Sequence, residues 1–218
     1  MELDEITPLL WQATGETAVM VGWATLFTVL LGLPLGVALV ALDKDGLRPM
    51  PALKGAIGVV VNVGRSLPFL VLMIALIPFT RVVVGSSIGT EAMVVPLTVG
   101  AVPFFARLVE TALREVGRDV VQAAQAMGTG KLAIIRKVLL PEAFPGLVAG
   151  LTVTVVALIG YSAMAGVIGG GGLGDLAKRY GYERFETGVM VAVVIVLIIV
   201  VQLIQSLGDH VARRLSHK

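Results

Sequence analysis

The sequence predicts an all-α membrane protein with five transmembrane helices, and three observations carry that reading. Of 218 residues, 56% are hydrophobic and only 15% charged, more apolar surface than one soluble core of this size can bury. Apolar stretches long enough to cross a bilayer recur along the chain. Lysine and arginine gather in alternate connections between them.

Each span follows from the thickness of the hydrocarbon core, which takes roughly 20 apolar helical residues to cross. Stretches free of charge cover 17–42, 143–174 and 187–208. Two more, 55–79 and 92–109, qualify with one arginine each, Arg65 and Arg107. The expected spans are therefore 17–42, 55–79, 92–109, 143–168 and 187–208, making one transmembrane domain over 1–218. Strict alternation of apolar and polar residues is missing, which argues against a barrel, and helices alone then satisfy the backbone in lipid.

An odd number of spans puts the termini on opposite sides, and the basic residues choose which is which. With the N-terminus outside, the cytoplasmic segments hold Lys44, Arg48, Lys54, Arg114, Arg118, Lys131, Arg136, Lys137, Arg213, Arg214 and Lys218. The external segments hold only Arg81, Lys178, Arg179 and Arg184. The expected orientation is N-out, C-in.

Composition excludes several functions. A formal net charge of +2 without a continuous basic patch gives no footprint for nucleic acid. The absence of cysteine removes disulfides, thiol nucleophiles and thiolate metal sites, and His210 and His217 read as solvated tail residues rather than ligands. Glu2, Asp4, Glu5 and Glu16 open the chain without a basic residue, so no cleaved leader is expected. No P-loop of the form G-x-x-x-x-G-K-[ST] occurs, and any energy for uphill work must come from another chain.

The connection 114–141 is long, charged and patterned like a helix. Val116, Val120, Ala124 and Met127 recur at helical spacing, with Arg118, Gln122 and Gln125 opposite. Gly128 suits a helix end, and a second short helix from Lys131 to Leu140 is expected to close at Pro141. By pattern alone, this segment could equally lie on lipid headgroups.

Gln122-Ala123-Ala124, three residues, Gly128, nine residues and then Val138-Leu139-Leu140-Pro141 resembles the EAA motif of ABC importer permeases. Gln122 stands where that motif has Glu and Val138 where it has Ile; Gln122 loses a charge but keeps the hydrogen-bonding reach. The runs Asn62 to Phe69, Ile77 to Arg81, Val95 to Gly100 and Gly160 to Met164 are similar to those of methionine importer permeases. The resemblance implies a permease that provides a translocation path by alternating access in a bacterial inner membrane, without chemistry or cofactor of its own. It implies a second copy of the chain, two ATPase subunits that bind ATP and Mg, an external substrate-binding protein and surrounding lipid as partners. Gln122, Ala123, Ala124, Gly128 and Pro141 would form the cytoplasmic coupling helix that seats in the ATPase. A related importer for another amino acid or glycine betaine is the alternative, while an ion-driven transporter would call for acidic residues within the spans, which stop at Glu91 and Glu110 near the ends of the third.

Four residues are candidates for the path or its gate. Met164 is flexible and polarizable enough to plug an axis and move aside, and Tyr161 and Ser162 share its span; ordinary helix packing is the other reading for all three. Arg65 either reaches the path or snorkels to the headgroups. Arg107, with Glu110 three residues on, suits an interfacial anchor or a local ion pair. The glycines from Gly166 to Gly174 formally contain G-x-G-x-x-G, but no strand precedes them, so a loop or broken helix is expected. Three small-xxx-small pairs, Gly32 with Gly36, Gly146 with Gly150 and Gly166 with Gly170, suit close helix packing.

Overall fold

The computed structural model describes residues 3–216; Glu2, His217 and Lys218 lie outside the described residues. Among those described, all regular structure is helical. The long helices are α1 (Leu3–Ala41), α5 (Thr90–Arg114), α8 (Leu140–Val167) and α10 (Thr187–Leu215). Between α1 and α5 run α2 (Pro51–Ser66), α3 (Phe69–Ala75) and α4 (Ile77–Val84). Between α5 and α8 lie α6 (Arg118–Ala126) and α7 (Lys131–Ile134), and α9 (Gly172–Leu176) precedes α10.

Four helices are long and apolar enough to cross a membrane, with α2 and α3 together forming a fifth, sharply bent candidate. The break follows from Pro68: the residue before a proline is driven out of the α region, and Pro68 itself is extended at φ −58°, ψ 131°. A second interruption at Leu76 is followed by Pro78 in the first turn of α4. The stretch expected as one helix over 55–79 is thus three. Helix α1 also reaches much further toward the N-terminus than 17, because Ile6 and Ala13 pack against Leu173, Leu176, Val189 and Val193.

The chain divides into two compact units. The first comprises Met1–Phe27, Leu67–Ala101 and Val155–Gln205. Its main core gathers Met20, Ala24, Phe69, Met73, Leu97 and Leu158. The α10 residues Ile195, Ile198 and Ile199 stand exposed, as a wall facing lipid requires.

The second unit comprises Thr28–Ser66, Val102–Thr154 and Ser206–Lys218. Its core joins Leu47, Phe105, Val109, Leu113, Ile134 and Leu139. Lipid tails are as apolar as leucine, so helices here hold together by close packing rather than by escape from water. The expected glycine pairs supply it: Gly32 and Gly36 receive Phe105 and Val109, and Gly146 and Gly150 receive Ala112 and Leu108.

A charged cluster also ties this unit together. Glu110, buried on α5, is paired with Arg107 and with Arg114, whose Nη2 donates to Glu110 at 2.8 Å. Arg114 also donates to Asp43 at 2.5 Å, and Arg107 to the Asn62 side-chain oxygen at 2.7 Å. Asp43 further accepts from the Lys44 amide at 2.9 Å and has Lys54 at 3.6 Å. The hydrogen bond from Arg114, then that from the Lys44 amide, lowers the Asp43 carboxyl from 3.8 to about 2.

Two measurements test this packing. A Cβ on Gly36 would lie 2.6 Å from the Ala106 carbonyl oxygen, whereas one on Gly22 meets nothing within 4 Å. Gly36→Val is therefore expected to destabilise by about 1–3 kcal/mol and lower the thermal unfolding midpoint, with Gly22→Val much milder. Because the folded-state carboxyl of Asp43 is lowered, its contribution is complete above pH 4 and fades as pH falls toward 2. Asp43→Asn should lower the unfolding midpoint evenly between pH 5 and 8, and the difference from the parent should close in acid.

Candidate functional site

The segment with EAA-like spacing lies within the second unit. Helix α6 starts after Gly117, which is extended, and ends at Met127. Its end is a Schellman motif: the Thr129 amide donates to the Ala124 carbonyl at 3.1 Å and the Gly128 amide to the Gln125 carbonyl at 2.9 Å. Gly128 has φ +74°, the left-handed region where a side chain is penalised. The sequence-based expectation of a helix end at Gly128 holds.

The expected apolar stripe does not hold as drawn. Ala124 is buried, but Val120 is exposed and Met127 is 78% exposed. Val116 precedes the break at Gly117, so the helical count cannot be carried across it; Val121 instead joins Ala124 toward the core. Gln122, Ala123, Ala126 and Met127 consequently present an outer surface of α6, continued by the exposed Leu132 on α7. On its other side a cavity of about 370 Å³ is lined by Leu47, Arg114, Val121, Gln122, Gln125 and Leu139.

Pro141 does not close the second helix. The chain passes from α7 through a π turn at Ile135–Leu139 directly into α8, and Pro141 lies in the first turn of α8. In that turn the Leu140 amide donates to the carbonyl of Ile135, five residues back. Such a widened turn absorbs the ladder defect that a proline imposes, and the helix continues.

The four path candidates separate clearly. Ser162 is buried and its hydroxyl donates to the Ile159 carbonyl at 2.8 Å, so it serves its own helix. Tyr161 is half-buried and stacks on Phe69, with centroids 4.4 Å apart and planes at 9°. Met164 is 41% exposed and remains available. Arg65 is exposed in the last turn of α2, just before the break at Pro68. Its Cα lies 14 residues from the helix start, about 21 Å along the axis at 1.5 Å per residue.

The glycine run is neither a nucleotide loop nor a plain turn. Gly171 adopts φ +77°, ψ −167°, open in practice to glycine alone. The chain then folds back as α9 against α8: a Cβ on Gly166 would come within 2.8 Å of the Gly174 backbone, and one on Gly174 within 2.7 Å of the Ala163 backbone. Two residues of α1 fasten this turn, with Glu16 accepting from the Gly172 amide at 2.7 Å and Thr17 from the Leu173 amide at 2.9 Å. Sequence reasoning missed both, and no local pattern announces a contact across 156 residues. It also missed Asp43, although the spacing of Arg107, Glu110 and Arg114 marks the rest of that cluster. Among the described residues no group of three or more His, Asp or Glu side chains could hold a metal ion.

Comparison with known proteins places this geometry. Residues 28–217 match the family model described as binding-protein-dependent transport system inner membrane component. The chain is 54% identical over 210 residues to the probable D-methionine transport system permease protein MetI of Vibrio cholerae, covering 96% of this chain and 93% of the relative. It is 45% identical over 200 residues to the methionine import system permease protein MetP of Bacillus subtilis, covering 92% and 90%. A solved chain from inward facing conformations of the MetNI methionine ABC transporter is similar over 100% of both chains, with 44% identity and a TM-score of 0.97. With a family model spanning most of its length and relatives this similar, the chain belongs to the inner-membrane components of binding-protein-dependent transport systems.

Proposed function

We propose that this chain is the permease subunit of an ATP-driven methionine importer, a homodimer that offers a path alternately to the two sides of the membrane. It forms one permease domain with the N-terminus outside and the C-terminus in the cytoplasm. Two ATPase subunits, which bind ATP and Mg, dock on the cytoplasmic side, and an external binding protein delivers substrate. The relatives' names support methionine. The high similarity to inward facing chains supports reading the present conformation as inward-facing.

The observation that carries the coupling role is the display of α6. A nine-residue helix is held from behind by Ala124 and fixed at its end by Gly128, while Ala123, Met127 and Leu132 face outward with no partner in their own core. Exposed apolar side chains flanked by basic residues suit a protein groove better than water. Gln122, at the rim of the cavity behind α6, offers hydrogen bonds there in place of a charge. Met164 is the gate candidate, and Arg65 the candidate for the path.

An ion-driven transporter fits less well. The buried acid near the end of α5, Glu110, is already paired with two arginines.

Two experiments test the reading. At Gly128 a Cβ meets nothing within 4 Å of its own chain, so substitution acts through the left-handed backbone and through whatever docks there. Gly128→Ala should cost about 1–2 kcal/mol. Gly128→Leu should insert normally yet uncouple ATP hydrolysis from uptake in proteoliposomes; normal transport by that variant would remove α6 from the coupling role. Uptake of labelled methionine in a strain lacking its own importer, competed by other amino acids and glycine betaine, decides the substrate. Absence of methionine uptake, or its loss to an excess of another solute that competes better than unlabelled methionine, would favour the importer of that solute.

A further inference from the structure

We propose that Glu16 and Thr17 are positioning residues for the gate, acting on Met164 through α9. The inference rests on Met164 being the gate.

A helix begins with backbone N–H groups that have no partner of their own, and in apolar surroundings each must find one. At α9 they point at α1. The Glu16 carboxylate accepts from Gly172 at 2.7 Å and is itself held by the Gln12 amide at 2.9 Å. Thr17, buried, accepts from Leu173 at 2.9 Å. The fit leaves no slack: a Cβ on Gly172 would lie 2.6 Å from the Thr17 hydroxyl, and one on Gly171 2.8 Å from the Glu16 carboxylate. Asp175 lies in the same short helix and pairs with Arg179 at 2.5 Å.

Helix α9 in turn fixes the last turns of α8. Gly174 meets the Ala163 backbone and Gly166 meets the backbone of Gly174 and Asp175, so α9 covers the face of α8 that carries residues 163 and 166. At 3.6 residues per turn, Met164 lies about 130° round the helix from the centre of that face. Ala165 lies as far round on the other side but is buried in the core with Leu158 and Ile159, and Ser162 is buried too, so of these three positions Met164 is the one left exposed. With its amides uncapped, α9 would loosen from α8, and the free rotation of that last stretch would no longer be set. The acceptors on α1 thus determine where Met164 points.

The test uses the complete permease–ATPase complex in proteoliposomes loaded with radiolabelled methionine, without ATP or binding protein, and follows leak of the label. Thr17→Val and Glu16→Ala should each raise the leak about fivefold, the factor expected from losing one helix cap in a two-state equilibrium. Thr17→Ser and Glu16→Gln, which keep an acceptor at the same reach, should restore retention. Hydrogen exchange of peptides spanning 168–176 should quicken in the first pair and not in the second, while α5 and α10 stay protected. Leak from Met164→Ala with none from Thr17→Val and Glu16→Ala overturns the positioning role and leaves the gate intact. Tight vesicles with Met164→Ala overturn the gate itself and the inference with it. Unchanged exchange at 168–176 in Thr17→Val, or loss of protection throughout the chain in both Thr17→Val and Glu16→Ala, also overturns the inference.

Discussion

In an apolar solvent every backbone amide and carbonyl needs a partner from the protein itself, and the rest of this structure depends on how that requirement is met. Helices meet it along most of the chain. The informative places are those where a helix stops or deforms. At Gly128 the chain caps itself, returning the amides of Gly128 and Thr129 to the last turn of α6. Near Pro141 a π turn takes up the missing donor. At Gly172 and Leu173 the acceptors are borrowed from α1. These three solutions fall at the segments for which coupling and gating are proposed.

Charges in the second unit obey the same logic. Glu110 is buried but lies between two arginines, and Arg114 extends the pairing to Asp43 in the connection after α1. Glu110 is the member the others depend on: without it Arg107 loses its ion pair and Arg114 keeps only Asp43. The cluster also lies beside the cavity behind α6, with Asp43, Arg114, Gln122 and Gln125 on its lining. A displacement of α6 would therefore be felt by side chains already fixed to one another.

Much of this was legible in the sequence because lipid imposes coarse rules. Length and apolarity marked the long helices, and the glycine pairs at 32 and 36 and at 146 and 150 marked packing that the structure shows against α5. The end of α6 followed from one glycine. What escaped depended on tertiary geometry. The stripe through Val116 and Val120 failed because Gly117 resets the helical count, and the second apolar stretch broke because Pro68 acts on the residue before it. Neither Asp43 nor Glu16 could be assigned, since a lone carboxylate gives no hint of a partner 71 or 156 residues away.

That last separation bears on how the protein is made. Translation runs at about 5–20 residues per second. Helix α1, carrying Glu16, thus enters the membrane roughly 8–30 seconds before Gly172 leaves the ribosome. During that interval the Glu16 carboxylate lacks the amide it will bind and has the Gln12 side chain beside it. The glycine turn is closed only when nearly the whole chain is present. Its closure is therefore a late event in synthesis, because it joins two segments 156 residues apart.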